Sequence, residues 1–439
     1  LIIYSKQVSA RLLYIVDFIS KELEGRSAQV TSNQQECASY QGIRINYSDE
    51  ALPFDAIRIS PGGLLFQQGI VQQEIHCFQY NGLNAFFQTR GDYPFDLFSA
   101  SFYLLSRYEE YLPHKMDAYG RYAHENSVAF REQFLHLPLV NFWLDDFRQI
   151  VAQRFPRYPL RQPVFTFLPT YDIDIAWSYR HKGWWRNLGG LLRSSFKWDW
   201  AAVRERVRVL AGRQNDPFDC YGWLNKLHER HQLKPYYFFL VPKRRGRYDK
   251  NISPSVPAMQ YLVQDHVIRY PIGIHPSWKS GDVPNLLAGE INQLSALNGT
   301  RILSSRQHYI RFNLPVGYRR LLENGIRFDF SMGYGSINGF RASVATPFYW
   351  YDLEREKQTE LLLFPFCFME ANSFYEQKYS AQQALEELRQ YYNTVRSVNG
   401  YFIMIWHNTF LGTDKLYSGW RTIYEQFINE VSQASRPAN

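Results

Sequence analysis

From Ser9 to Leu23 apolar residues recur every three to four positions (Leu12, Leu13, Ile15, Val16, Phe18, Ile19), which predicts a helix with one buried face. Short strand-like runs follow at Ile43–Tyr47 and Ala56–Ile59, and Pro61-Gly62-Gly63 marks a turn. Asp96 precedes the apolar run Leu97–Leu105 as a helix cap, and that helix ends near Arg107–Pro113. A further helix covers Leu139–Arg154. The stretch Phe155-Pro156-Arg157-Tyr158-Pro159 reads as a domain boundary, dividing an N-terminal unit, 1–158, from a larger unit, 159–439.

Beyond the boundary, strand-like runs alternate with helical ones. Strands are predicted at Val164–Leu168, Tyr236–Val241, Ile272–Ile274, Ile326–Phe330, Leu361–Phe364 and Tyr401–Trp406. Helices are predicted at Val203–Leu210, Cys220–Arg230, Pro257–Asp265, Val283–Ala296, Pro315–Asn324, Ser380–Ser397 and Ser418–Ser432. This alternation implies βα units around a parallel sheet or barrel, hence an α/β fold class, preceded by a smaller α/β or α+β domain. Gly325 is placed to close the helix before the Ile326 strand.

Strand ends carry the candidate chemistry. Thr170-Tyr171-Asp172-Ile173-Asp174 follows the apolar run Pro163–Leu168, so two carboxylates lie at or just past a strand's carboxyl end. Open α/β sheets and (β/α) barrels place their active sites there. Two residues apart, Asp172 and Asp174 share a face in extended backbone. His275, in Gly273-Ile274-His275-Pro276-Ser277, ends a second strand. Ser305-Arg306-Gln307-His308-Tyr309 adds another histidine and a fixed positive charge, and the apolar strand Phe402–Trp406 ends on His407. A single histidine at a strand end is more often structural, and a turn with two solvated acids is common. Three such histidines with the paired aspartates define a candidate site.

Composition narrows the classes. With 439 residues, 45% of them hydrophobic, and no low-complexity tract, the chain can bury two or three cores and is not of the disordered class. Aromatic residues reach 17%, which suits sugar contacts as well as core packing. Cys37, Cys77, Cys220 and Cys367 are widely scattered and form no CxxC pair, so neither a disulfide framework nor a cysteine-rich metal knuckle is indicated. That usage fits a reducing compartment, so a cytoplasmic location is expected, with or without membrane association. A periplasmic one follows if a leader has been removed from a chain that does not start with Met. No apolar run is long enough to span a bilayer.

The net charge of +8 is unevenly spread. Nine basic residues between Ala176 and Arg213 face only Asp199 and Glu205, and five tryptophans share the stretch. We read 176–213 as a basic, Trp-rich, helical insertion suited to an anionic membrane surface or an acidic glycan. An ordinary amphipathic helix with a solvated basic face is the competing reading. No nucleic-acid motif accompanies the charge, so nucleic acid is not an expected partner.

In order and context these residues resemble the polysaccharide deacetylases of carbohydrate esterase family 4, the NodB-homology fold, over about Pro163 to Gly412. The resemblance implies a distorted (β/α) barrel for the C-terminal unit. It implies Asp172 as general base, Asp174 as a metal ligand, His275 as the first histidine of the His-box and Arg306 as the arginine pairing with the base. Asp329 falls in the fourth-motif region, and Ile405-Trp406-His407 matches Leu-x-His, making His407 the general acid. Two departures stand out. Lys279 occupies the place of the second His-box histidine, and Ile173 separates the two acids. His308 is the best substitute, giving a metal set of Asp174, His275 and His308, most consistent with Zn²⁺. The whole chain is similar to a Bacteroidetes-type group with an N-terminal extension, through Phe95–Tyr111, the His275–Ser277 box, Asp329–Tyr334 and Gly339–Ala342.

The implied reaction is metal-dependent removal of N-acetyl or O-acetyl groups from an amino-sugar glycan or lipid-linked sugar. A catalytically inactive glycan-binding or scaffold protein on the same fold is the alternative. Arg341, Tyr309, Trp278 and Asp329 are candidate substrate contacts, and Asp329 is also a weak candidate for raising the His407 pKa. Tyr334 and Trp406 could stack on sugars, with core packing the default for Trp406. Asp249 and Asn251 lie in a run that reads as rim or polar loop, and Glu370 as a rim residue or a helix start. Ser277 lacks a nucleophile elbow.

Overall fold

The computed structural model describes residues 1–242 and 245–434. In the N-terminal unit, parallel strands β1 (Ile2–Tyr4), β2 (Gln29–Thr31), β3 (Arg44–Asn46) and β4 (Ile57–Arg58) form a sheet ordered β2-β1-β3-β4. The helix Ala10–Glu24 buries Leu12, Ile15, Val16 and Ile19 in the same apolar cluster as Ile3 and Ile45 of this sheet. Ser9 caps its start by accepting from Leu12 N–H, and Gly25, at φ 77°, ends it. A hairpin of β5 (Phe78–Tyr80) and β6 (Leu83–Ala85) follows, which the sequence pattern did not reveal. Helices Leu97–Leu105, capped by Asp96, and Leu139–Arg154 complete the unit.

The second sheet has nine strands. They are β7 (Thr166–Ile173), β8 (Tyr236–Leu240), β9 (Ile272–His275), β10 (Ser304–Ser305), β11 (Phe328–Asp329), β12 (Phe348–Asp352), β13 (Lys357–Leu363), β14 (Phe368–Met369) and β15 (Tyr401–His407). Their order is β12-β13-β11-β10-β9-β8-β7-β15-β14, all pairs parallel except β12 with β13. Among the described residues β14 does not pair back to β12, so backbone hydrogen bonds do not close the expected barrel. Instead, the loop after β11 covers the β14 edge: Phe366 N–H donates to Met332 O and Gly339 N–H to Cys367 O.

One hydrophobic cluster runs through both units, from Leu12 and Phe102 to Tyr351 and Leu363. Buried ions cross between them as well. Arg341 donates to both Glu110 oxygens, at 2.8 and 2.6 Å. Burial pushes the Glu110 carboxyl up, but Arg341 and Arg107 outweigh it and bring it down to about 2. A polar core of this kind fixes one relative placement, because breaking it would strand a charge.

Candidate active site

Parallel register assembles the site from distant segments. Asp172 of β7 lies opposite His407 of β15 and opposite Phe238 of β8, and Phe238 lies opposite Gly273 of β9. Gly273 leaves room for the Phe238 ring, since a Cβ there would sit 2.5 Å from it. The Arg306 guanidinium stacks on that ring, 4.4 Å from its centroid. It donates Nε–H to Phe330 O at 3.1 Å and Nη1–H to Asp172 Oδ1 at 2.9 Å. Arg306 is fully buried, so this pair fixes the Asp172 carboxylate in one orientation.

Asp174 is the hub. Its Oδ1 lies 3.1 Å from His275 Nε2, and its Oδ2 lies 3.3 Å from His308 Nε2 and 3.5 Å from His407 Nε2. Burial works to raise its pKa, but His308 and His275 overcome that and hold it well below the usual carboxylate range. Each histidine is oriented from behind. His275 Nδ1 lies 2.6 Å from the Arg306 carbonyl, which can only accept, so Nδ1 carries the proton. His308 Nδ1 lies 3.0 Å from Asp249 Oδ1, which also accepts Trp278 N–H at 2.8 Å. His407 Nδ1 lies 2.8 Å from Glu370 Oε1, which accepts His407 N–H at 2.6 Å as well.

These partners set the charges of the rings. Burial disfavours the His308 cation, yet Asp174 and then Asp249 raise it to about 9. His407 is raised to about 10, because Glu370 first, then Asp174 and Asp172, outweigh burial. The partner of His407 is therefore Glu370. Asp329 is occupied elsewhere, accepting from Ser305 Oγ, Ser331 N–H and Ser331 Oγ at 2.7, 2.9 and 2.9 Å.

Asp174, His275 and His308 meet the requirements of a cation site. One ligand atom from each lies within 4.8 Å of the others. Both Nδ1 atoms are engaged behind the site, leaving both Nε2 atoms aimed at Asp174, and Asp174 Oδ1 is buried without a hydrogen bond. A carboxylate behind His308 and a carbonyl behind His275 are the supports that ligating imidazoles need. Two nitrogens and one carboxylate suit Zn²⁺ with a position left open.

These groups line a cavity of about 590 Å³. Tyr309 forms part of its wall in left-handed backbone, φ 58°, a conformation that side chains other than glycine's adopt at a cost. Trp278 stands one row back, stacked on the wall residue Tyr248 at 4.0 Å. Arg341 and Asp329 do not line the cavity. Both are buried, Arg341 by its pairing with Glu110 and Asp329 by its serine contacts. Tyr334 and Trp406 are buried as well, and Asn251 holds the Ile173 and Leu240 carbonyls at 2.9 and 2.8 Å. Sequence reasoning missed Tyr119 and Arg121. Both come from the N-terminal unit and line the same cavity, with Arg121 donating to Tyr309 O at 2.8 Å.

Residues 1–156 match the model of a family of unknown function, DUF7033. No curated protein matches the sequence. Among solved structures, the chain is similar to a Mycobacterium smegmatis protein assigned as a polysaccharide deacetylase, at 13% identity over 63% of this chain and 87% of that one, TM-score 0.40. It is similar to Puue allantoinase at 12% identity, 63% and 87% coverage and TM-score 0.40. It is also similar to the polysaccharide deacetylase Bc1974 from Bacillus cereus, at 11% identity, 63% and 97% coverage and TM-score 0.29. Identity and TM-score are low throughout.

Proposed function

We propose that the protein is a metal-dependent hydrolase that removes an acetyl group, N-linked or O-linked, from an amino-sugar glycan or glycolipid. The observation that carries this reading is the joint presence, around one cavity, of a two-histidine and one-aspartate cluster, a carboxylate oriented by arginine, and a histidine backed by a buried glutamate.

An amide resists water because its carbonyl is weakly electrophilic and an amine leaves poorly. A divalent cation held by Asp174, His275 and His308 would supply Lewis acidity to the acetyl carbonyl and to water. Asp172 is the general base: Arg306 occupies Oδ1, which leaves Oδ2 to take the proton of the attacking water. His407 delivers its Nε2 proton to the departing nitrogen or oxygen, and Glu370 ensures that it carries one at neutral pH. The water oxygen bonds to the acetyl carbon as its proton passes to Asp172, and the C–N bond breaks as nitrogen takes the His407 proton. Return of the Asp172 proton to His407 leaves acetamide plus water equal to acetic acid plus amine, that is, acetate and ammonium at neutral pH. Tyr119 and Tyr309 offer ring faces suited to a sugar.

The second reading, an inactive glycan-binding protein, draws on Lys279 at the second His-box position. Acetate release separates the two. Incubation with N-acetylglucosamine oligomers and acetylated glycans should release acetate from wild type and not from Asp172→Asn. Saturable glycan binding without acetate release, with metal bound, would favour the inactive reading.

A further inference from the structure

The insertion after β7 folds into two helices, Trp184–Phe196 and Trp200–Leu210, that pack against each other. Their orientation reverses that of an ordinary surface helix, which turns its apolar face inward. In the first helix the inward residues are small or polar. Asn187 is buried, donating to Tyr179 O and Gly183 O, and Gly190 sits against Arg206. Trp184, Leu188, Leu192 and Phe196 recur at four-residue spacing on an apolar arc that points to solvent. Phe196 is 82% exposed, Trp198 at the turn 78%, Trp185 69% and Trp184 64%. Trp200, Val207 and Leu210 extend the patch along the second helix. Among the described residues, Trp184, Trp185, Trp198 and Trp200 are the only strongly exposed tryptophans.

The same hairpin carries exposed charge. The insertion has seven more basic than acidic residues, nearly the whole of the chain's +8. Arg186, Arg193, Lys197, Arg204 and Arg208 are exposed, and none forms an ion pair among the described residues. Indole rings favour the boundary between acyl chains and headgroups, and unpaired cations favour an anionic leaflet. An apolar protein partner would match the apolar face but leave these exposed cations unexplained.

We propose that this helical hairpin docks the protein on an anionic lipid surface, with the Trp and Phe side chains at the headgroup boundary and the arginines on lipid phosphates. The hairpin is fixed to the body rather than tethered. The Asp216 carboxylate accepts the N–H groups of Ser178, Tyr179 and Arg180 at 2.7, 2.8 and 2.9 Å, clasping its two ends. Ile175 and Phe218, just outside that clasp, line the cavity. Docking would therefore hold the cavity beside the headgroup layer, where a lipid-linked sugar is presented; this last step alone rests on the proposed activity.

The test is flotation of the full-length protein with phosphatidylcholine vesicles, with and without phosphatidylglycerol. No substrate is present, so the outcome is independent of catalysis. Wild type should float only with the anionic vesicles, with a blue shift of tryptophan emission and loss of binding at high salt. Two variants alter exposed residues alone: Trp184→Ser with Trp185→Ser, and Arg186→Glu with Arg193→Glu and Lys197→Glu. Each should keep the wild-type circular dichroism spectrum and weaken vesicle binding by roughly tenfold or more. Three results would overturn the proposal. These are no flotation of wild type, flotation undiminished in both variants, and hairpin-dependent self-association or acidic-polysaccharide binding without vesicle binding.

Discussion

Replacing Glu370 with Gln should weaken the hold of His407 on its proton and bring its titration down toward neutral pH. The glutamate is fully buried, and its Oε1 holds both the backbone N–H and the Nδ1 of His407. An amide oxygen can keep both contacts, so the substitution removes charge and little else. The His407 rise from 6.5 to about 10 is a net preference for the imidazolium on the order of 4–5 kcal/mol at ~1.36 kcal/mol per unit. Glu370 is the largest contribution to that rise, acting against burial. Removing it should lower the His407 pKa by about two units or more, on the order of 3 kcal/mol. The readout is histidine NMR of metal-free protein against pH, with the His407 signal assigned from His407→Gln. In the active enzyme, the alkaline limb of kcat should move toward neutrality by a similar amount. A His407 midpoint that stays in place in Glu370→Gln would refute the claim that this glutamate maintains the acid.

Four further outcomes follow from named contacts. Glu290, buried and accepting Ser277 N–H, is raised to about 7 by burial first and Asp249 in addition. Its protonated form is favoured in the fold, so its contribution is complete below about pH 4.5 and is lost as pH rises through about 7. Glu290→Gln should thus gain on the order of 2–3 kcal/mol over wild type between pH 5 and pH 8 in urea unfolding. Gly273→Ala should displace Phe238, costing about 1–3 kcal/mol and loosening Arg306, so kcat falls while the pH profile keeps its shape. Arg341→Leu should destabilise by about 1.5–3 kcal/mol, by leaving buried Glu110 to Arg107 without its second cation, with unchanged metal content in the folded fraction. Tyr119→Ala should raise KM with little change in kcat, since Tyr119 lines the cavity and packs on Tyr309 rather than on a reacting group.

The strands that carry the site were legible because central parallel strands are buried on both faces and read as apolar runs, as in Tyr401–Trp406 and Tyr236–Val241. Their ends marked Asp172, His275 and His407. β10 and β14, two residues each, lack any such pattern. Asp249 and Glu370 stand 59 and 37 residues from the histidines they orient, so only the fold pairs them. Asp329, the sequence-based candidate partner of His407, is instead held by Ser305 and Ser331, and the sequence does not mark the Ser305 pairing. Tyr119 and Arg121 reach the cavity from the other unit. The basic and aromatic content of 176–213 was plain in the sequence, but which face turns outward was not. That face is decided by Asn187 and Gly190, the small residues that pack inward.

The metal cluster is most directly tested by elemental analysis of protein purified without added metal, for wild type, His275→Ala and His308→Ala. Close to one zinc per chain in wild type, lost in both variants, is the result expected if Asp174, His275 and His308 hold the ion as proposed. A wild type that holds no metal and takes up none from zinc, cobalt or nickel would contradict it.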